Sequence, residues 1–194
     1  HLRAGRPGEA EGLCRKALKN YPDHPGALHL LGLVALHTGH PAPAAELIAR
    51  AVAIDDRNAE FHADLGVALM AGGRRDEGLA GFRRAIALKP GHAGAHYNVG
   101  LALLEEGDFA AAAAAFRKAL RHARDHADAH MNLGTALMRL GEGRAALRHF
   151  RRAVAAAPAN PLAHRNLGSA LLESGAPGEA RLAFEKALEI APGD

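Results

Sequence analysis

The sequence contains no tryptophan, a single cysteine and few aromatic residues, which make up 4% of its 194 residues. One cysteine, Cys14, excludes an internal disulfide framework and a four-thiolate metal site. No apolar run approaches the roughly 20 residues that span a bilayer, so we expect no membrane-spanning helix. The composition, 48% hydrophobic and 23% charged, is typical of a globular protein. With so few large side chains, its core must consist of small residues in close contact.

The charge balance excludes little. Lys and Arg number 24 and Asp and Glu 21, for a formal net charge of +3, which is too mild to indicate nucleic acid binding by itself.

The chain opens at His1 without a methionine or a signal-peptide pattern, and we interpret it as a fragment, a processed product or the ordered part of a longer chain. We expect a cytoplasmic protein.

Catalytic motifs are also missing. The sequence has no nucleophile elbow, no zinc-protease helix motif and no phosphate-binding Walker loop. Cys14 falls at a predicted core position, where a thiol is inert. We therefore expect neither enzymatic activity nor a cofactor.

A period of 34 residues runs through the chain without insertion or deletion. Two glycine series carry it, one inside a predicted helix and one at its end: Gly32, Gly66, Gly100, Gly134, Gly168, and Gly5, Gly39, Gly73, Gly107, Gly141, Gly175. Such a period is typical of tandem units that stack on their neighbours. We predict one domain over 1–194, with a partial unit at 1–24 and five full units at 25–58, 59–92, 93–126, 127–160 and 161–194.

Each unit is predicted to contain two helices. In unit 93–126 the apolar spacing predicts helices from Ala95 to Glu106 and from Phe109 to His122, with Gly107-Asp108 as helix stop and N-cap between them. A glycine inside the first helix costs roughly 1 kcal/mol relative to alanine. We expect this loss to be offset by close approach of the second helix at its small residues, Ala44, Gly78, Ala112, Ala146 and Ala180.

Unit 93–126 contains the run His96-Tyr97-Asn98-Val99-Gly100-Leu101-Ala102-Leu103, then Gly107-Asp108-Phe109, then Ala112, Phe116 and Ala119. This order resembles the tetratricopeptide repeat (TPR), and the resemblance covers the whole chain. Histidine stands at the fourth position, where the family usually has an aromatic residue: His62, His96, His130 and His164. The resemblance implies an all-α fold, an alpha-alpha superhelix or TPR solenoid, whose first helices line a concave groove. The array also looks like the repeat superhelix of O-linked N-acetylglucosamine transferases.

The helical period puts the second, sixth, ninth and thirteenth positions of each first helix opposite the core, on the side that faces the groove in this architecture. We predict peptide-binding residues there: Leu30, Leu33, Asp64, Val67, Asn98, Leu101, Asn132, Thr135, Arg139 and Asn166. The three asparagines recur once per unit, and an amide can pair with both the N–H and the C=O of an extended peptide. The alternative is a solvated polar face. The leucines and Val67 would form an apolar floor.

The predicted groove is acidic although the chain is basic. Only Arg139 opposes five carboxylates, Glu60, Asp64, Glu105, Asp128 and Glu173. We therefore expect a neutral to basic, extended protein or peptide partner. Basic residues recur on the second helices instead, as in Arg83-Arg84 and Arg151-Arg152, where a solvated helix face is the favoured interpretation. The scarcity of base-stacking aromatic residues argues against a nucleic acid partner.

The sequence contains 13 histidines, and His122, His126 and His130 stand four residues apart. Two histidines at this spacing on one helix can bind zinc. The junction between two helices is expected between His122 and His130, so the three rings should not converge, and we predict no metal site.

Three functions remain open at this point. The leading hypothesis is a non-catalytic scaffold that binds an extended peptide in the groove. The second is the substrate-recruiting arm of a larger bacterial enzyme, either an O-linked N-acetylglucosamine transferase-like glycosyltransferase or a sulfotransferase. The third is a structural protein that stacks end to end as a homo-oligomer, because the last helix leaves the apolar side chains Leu182, Leu188 and Ile190 uncovered.

Overall fold

In a computed structural model the described residues, 7–193, form eleven α-helices and contain no β-strand. The helices are α1 (Pro7–Asn20), α2 (Pro25–His37), α3 (Pro41–Ile54), α4 (Ala59–Ala71), α5 (Arg75–Leu88), α6 (Ala93–Glu106), α7 (Phe109–His122), α8 (Ala127–Arg139), α9 (Gly143–Ala156), α10 (Pro161–Glu173) and α11 (Pro177–Ile190). The all-α prediction is confirmed. Helix α1 belongs to the partial unit, and each full unit contains one pair, from α2–α3 to α10–α11.

Side-chain caps hold the first turn of every first helix and of α7, whereas α3, α5, α9 and α11 begin without a side-chain cap. Helix α7 runs from Phe109 as predicted, because the Asp108 carboxylate accepts a hydrogen bond from the backbone N–H of Ala111 at 3.0 Å. Helix α6 begins two residues before the predicted Ala95. Its first turn is held by the His92 ring, whose Nδ1 accepts from the N–H of Ala95 at 3.0 Å. Histidine thus does here what asparagine does before α4 and α10.

Glycine is required at the turn between the two helices of every full unit. The glycines there have φ between 77° and 81°, a left-handed conformation that strains any residue with a Cβ: Gly39, Gly73, Gly107, Gly141 and Gly175. After Gly39, the N–H of His40 returns to the carbonyl of Ala35 at 2.8 Å and closes the end of α2. These turns return the chain from the first helix of a pair to the second.

The glycines inside the first helices allow close packing. A Cβ added at Gly66 would lie 2.7 Å from the Phe82 ring and 2.9 Å from the carbonyl oxygen of Gly78, so the predicted close approach at the small residue is confirmed. The aromatic ring four residues further along was not part of that prediction. At Gly134 the nearest atoms belong to the Phe150 ring, 2.6 Å from an added Cβ. Removing the Cβ makes room for a large side chain.

Above the level of the single repeat, the chain divides into two compact units. The first unit extends up to Ala95 and the second unit extends from His96 onward. Leu28, Ala51 and Phe61 form one core cluster of the first unit. Phe116, Leu133, Leu137 and Phe150 lie in the main cluster of the second, each at most 3% exposed. Within residues 7–193 none of the helices has the length and apolar character that crossing a bilayer requires.

Candidate functional site

The predicted groove residues of the first unit lie on α2 and α4. Leu30 is 48% exposed, and Leu33, Asp64 and Val67 are half-buried. Asp64 is engaged: its Oδ2 lies 2.7 Å from Nε2 of His29, which donates to the carboxylate. The His29 ring in turn contacts the Phe61 ring at 4.6 Å between centroids. Asp64 therefore ties the two first helices of this unit together, and Leu30 is the most open of the four predicted positions.

The second unit carries all three asparagines, and they differ in their surroundings. All are half-buried. The Asn132 amide donates from Nδ2 to the Tyr97 hydroxyl at 3.1 Å. Within residues 96–193 the side chains of Asn98 and Asn166 make no hydrogen bond. The predicted row of equivalent amides thus contains two free members and one that is held by a neighbouring repeat.

Sequence reasoning missed this link between successive repeats. The side chain at the fifth position of one repeat is hydrogen-bonded to the side chain at the sixth position of the next repeat, 35 residues further on. This holds for both His29–Asp64 and Tyr97–Asn132. The sequence did contain a signal for this link: in both pairs a side chain that can donate or accept a hydrogen bond stands 35 residues before another one. Met131 stands 35 residues before Asn166 and offers no strong hydrogen-bonding group, which is consistent with the free amide of Asn166.

The side chains at three further predicted positions of the second unit differ in their exposure and their contacts. Leu101 is half-buried and packs against the main core cluster. The Thr135 hydroxyl donates to the carbonyl of Met131 in its own helix at 3.1 Å, which satisfies it locally. Arg139 is exposed, and its guanidinium carbon lies 4.4 Å from the centre of the Phe109 ring. Of these three side chains, Arg139 is the one that a ligand can reach most freely.

The carboxylates predicted to make the groove acidic are partly neutralised in the first unit. Glu60 Oε2 lies 3.1 Å from His92 Nε2, and Glu60 Oε1 lies 3.3 Å from Lys89 Nζ. Burial alone would raise the pKa of Glu60, but the interactions of its carboxylate with His92 and Lys89 outweigh burial, and the pKa is lowered. In the second unit Asp128 and Glu173 are exposed and form no ion pair within the described residues.

Tyr97, which accepts the hydrogen bond of Asn132, also contacts two rings of the second unit. Its ring stacks on that of His126 with centroids 4.8 Å apart and contacts Phe116 at 5.8 Å. Burial and the nearby Asp128 carboxylate raise the pKa of the Tyr97 hydroxyl, so it stays protonated and can both accept from Asn132 and donate.

The basic residues predicted on the second helices, such as Arg83-Arg84 and Arg151-Arg152, are exposed, and some arginines of these helices form ion pairs with acids of a neighbouring repeat. Arg151 and Glu179 approach to 3.0 Å, and Arg117 and Glu142 to 3.9 Å. All four side chains are more than half exposed, so each pair contributes little to stability. This geometry matches a solvated helix face.

Several histidines of residues 7–193 have structural roles. At the fourth position, Nε2 donates to the carbonyl of the residue six places earlier at 2.9 Å in His62, His130 and His164. His126 caps α8 through Nδ1, which accepts from the N–H of Ala129 at 3.3 Å. The series His122, His126 and His130 is interrupted between α7 and α8, and no three metal-ligating side chains converge anywhere in the part of the chain that the structure describes.

One pair of histidines is unusual. Nδ1 of His130 and Nδ1 of His149 lie 3.0 Å apart, with ring centroids at 5.2 Å. Because Nε2 of His130 donates to the Arg124 carbonyl, its Nδ1 is the acceptor when the ring is neutral, and His149 must donate. Burial, then the neighbouring His130 and the cations Arg152, Arg117 and Arg148, lower the pKa of His149 to about 4. Burial also lowers the pKa of His130.

Comparison with known sequences identifies the repeat. A sequence model described as tetratricopeptide repeat matches residues 63–129, 100–142 and 131–194, and a second model with the same description matches residues 1–63. A comparison with curated protein sequences finds no match.

Solved structures show the same fold. The chain is similar to PilF of Pseudomonas aeruginosa, with a TM-score of 0.89, 23% identity and coverage of 100% of this chain and 88% of PilF. For MamA of Desulfovibrio magneticus the TM-score is 0.75 at 21% identity, covering 89% and 97%. For YrrB, described as a TPR protein with an unusual peptide-binding site, the TM-score is 0.70 at 17% identity, covering 93% of both chains. The predicted fold class, a TPR solenoid, is confirmed, and the chain belongs to the tetratricopeptide repeat family.

Proposed function

We propose that this protein is a non-catalytic scaffold that binds an extended segment of a partner protein along its first helices. The observation that carries the proposal is the pair of free amides at Asn98 and Asn166. Each is half-buried, makes no hydrogen bond within residues 96–193, and stands at the same position of its repeat. Half-buried amides without partners are suited to the backbone of a bound chain, which offers one donor and one acceptor per residue.

Apolar and polar neighbours support the same use. Leu101 and Val67 are half-buried at the ninth position of their repeats and Leu30 is 48% exposed at the sixth, so apolar contact surface is available on both units. Asp128 is an exposed carboxylate of the second unit that forms no ion pair within residues 7–193, which favours a neutral to basic segment. The likeness to YrrB, whose description includes a peptide-binding site, is consistent with this proposal at the level of the fold.

The proposal predicts the effect of removing the two free amides. A peptide is first selected from a displayed random library on the wild-type chain, and its affinity is then measured for the Asn98→Ala, Asn166→Ala double variant by calorimetry. Each lost hydrogen bond contributes about 0.5–1.5 kcal/mol, so the affinity should fall roughly 5- to 150-fold. Because neither amide has a partner within its unit, the melting temperature should stay nearly unchanged.

Asn20→Ala provides the matched control, since Asn20 is an exposed asparagine at the end of α1. It should leave the affinity unchanged. Equal affinity of the double variant and the wild type would refute the role of the amides and move the binding surface elsewhere on the molecule.

A second candidate function, self-assembly, is favoured by the exposed face of α11. Leu182 is 59% exposed and Leu188 is 52% exposed. Leu188 also lines a shallow cavity with Phe184, Ala187 and Pro161. Apolar side chains that line one cavity, as Leu188, Phe184 and Ala187 do, mark association surfaces in soluble proteins.

Self-assembly predicts concentration-dependent association through this face. In sedimentation equilibrium the average mass of the wild type should rise with concentration. Leu188→Glu should abolish the rise, because the carboxylate would have to be desolvated in the contact. Glu185→Gln, on the same helix, is the control and should associate as the wild type does. A mass that stays at one chain at every concentration would exclude this candidate.

A further inference from the structure

In two second helices the first residue contacts the following repeat. In α3 this residue is Pro41, whose Cβ lies 3.9 Å from the position of a Cβ added at Gly72, just after α4. In α7 it is Phe109, whose ring lies under the guanidinium of Arg139 at the end of α8. The contact joins residues 30 or 31 places apart in the chain. This position therefore fills the space between a second helix and the end of the next first helix.

Helix α9 has glycine at this position. A Cβ added at Gly143 would have no atom within 4 Å, and an open cavity of about 710 Å³ lies there. Its lining includes Glu173 and Ser174 at the end of α10, which are the residues 30 and 31 places after Gly143. Its volume falls within the range of about 300–1,000 Å³ that is usual for ligand pockets. The space that holds the Phe109 ring in the preceding repeat is open in this one.

The rim of this cavity, which we call the Gly143 pocket, carries two arginines that are not in ion pairs. Arg144 and Arg148 line it and are exposed, and neither forms an ion pair with a carboxylate among residues 7–193. Glu142 is 3.9 Å from Arg117, so it is already paired. Glu173 is the remaining carboxylate of the rim and stands where the preceding repeat has Arg139. Arg144 and Arg148 are therefore the two cations of the rim that a carboxylate of a ligand can reach without breaking an ion pair.

We propose that the Gly143 pocket binds an aromatic side chain of a partner protein, next to an acidic residue of the same segment. The ring takes the place over Gly143 that the Phe109 ring occupies in the preceding repeat. A guanidinium of α9 covers it as Arg139 covers Phe109, and the acidic neighbour pairs with the other arginine. This site is separate from the proposed peptide contacts of Asn98 and Asn166 and does not depend on them.

The test uses the whole chain, isotope-labelled, and two capped tetrapeptides, glycine–phenylalanine–aspartate–glycine and glycine–leucine–aspartate–glycine. Burial of one ring and formation of one exposed ion pair favour binding, and the loss of translational and rotational entropy opposes it. The net free energy corresponds to a dissociation constant on the order of 1 mM. The phenylalanine peptide should shift the backbone amide resonances of Gly141, Gly143 and Ser174. The leucine peptide should bind at least threefold more weakly.

Gly143→Phe is the decisive variant, because it fills the pocket with the ring that the preceding repeat already has. The open space around Gly143 accommodates the new side chain, so the chain should stay folded and the shifts should disappear. Gly178→Phe adds the same ring at an exposed glycine in the first turn of α11 and should bind as the wild type does. Arg148→Glu should weaken binding by at least threefold. Shifts that persist in Gly143→Phe, equal binding of the leucine peptide, or no shifts at these amides would each overturn the proposal.

Discussion

Phe150→Ala is expected to lower the free energy of unfolding by about 3–5 kcal/mol, the largest effect of any change considered for this chain. Phe150 is 3% exposed and lies in the main core cluster of the second unit together with Leu133 and Leu137. Alanine in its place would leave a cavity against α8 that rigid neighbouring helices fill only in part. Urea denaturation followed by circular dichroism measures the change.

The same site allows a sharper test through Gly134. Alone, Gly134→Ala brings a Cβ to 2.6 Å from the Phe150 ring, and overpacking of this kind costs about 1–3 kcal/mol against a gain of up to ~1 kcal/mol in helix propensity. In the Phe150→Ala background the ring is absent, so most of the overpacking cost should disappear and the substitution should be clearly less destabilising than in the wild type.

Gly178→Ala is the control for the propensity gain, since an added Cβ there meets nothing within 4 Å. Its effect should be small and the same in both backgrounds. If Gly134→Ala destabilised both backgrounds equally, the contact between Gly134 and Phe150 would not be the reason for glycine at this position.

The second large effect concerns acid. His149 has a pKa of about 4 in the folded chain, against an ordinary value of 6.5, because burial and the neighbouring His130, Arg152, Arg117 and Arg148 oppose its positive form. The unfolded chain therefore binds a proton at a higher pH than the folded chain does. Stability is fully present above pH 6.5 and is lost as the pH falls to 4, by about 3 kcal/mol from this group.

His149→Gln removes the titrating group and keeps a hydrogen-bond donor toward His130. The difference in unfolding free energy between wild type and variant, measured by urea denaturation from pH 7 to pH 4.5, should shrink as the pH falls. Comparison within this window keeps the contribution of the carboxylates, which titrate lower, nearly the same in both proteins. A difference independent of pH would show that His149 is not held neutral by its surroundings.

Much of the fold could be predicted because the period is uninterrupted. The turn glycines, the Asp108 cap and the bounds of α7 follow from residues within one repeat, and the structure has them where the sequence indicated. Local chemistry decides these features: a left-handed turn needs glycine, and an N-cap needs a side-chain acceptor. The start of α6 was predicted two residues late because histidine was not considered as a cap.

The candidate site was less predictable, because it depends on contacts between repeats. Position within a helix indicated which side Asn132 and Asp64 occupy but not that Tyr97 and His29 would bind them. The stacking of Arg139 on Phe109 likewise involves residues 30 places apart, and so does the cavity that Gly143 and Glu173 both line. Helical periodicity within one repeat cannot predict contacts at that distance in the chain. The part of the chain that one repeat determines was predicted well, and the part that two repeats determine together was not.

The bond from Tyr97 to Asn132 limits how this gene can change by recombination. The two residues belong to successive repeats and are correct only as neighbours. A tandem duplication of residues 127–160 would leave the first copy of Asn132 bonded to Tyr97. The second copy of Asn132 would have the first copy of Met131, and not a tyrosine, at the fifth position of the preceding repeat, and the thioether of methionine is a weak acceptor. The helices of such a product would still stack, yet one amide would lose its hydroxyl. Repeats of equal length in this chain are therefore not equivalent parts, and their order is inherited together with their sequence.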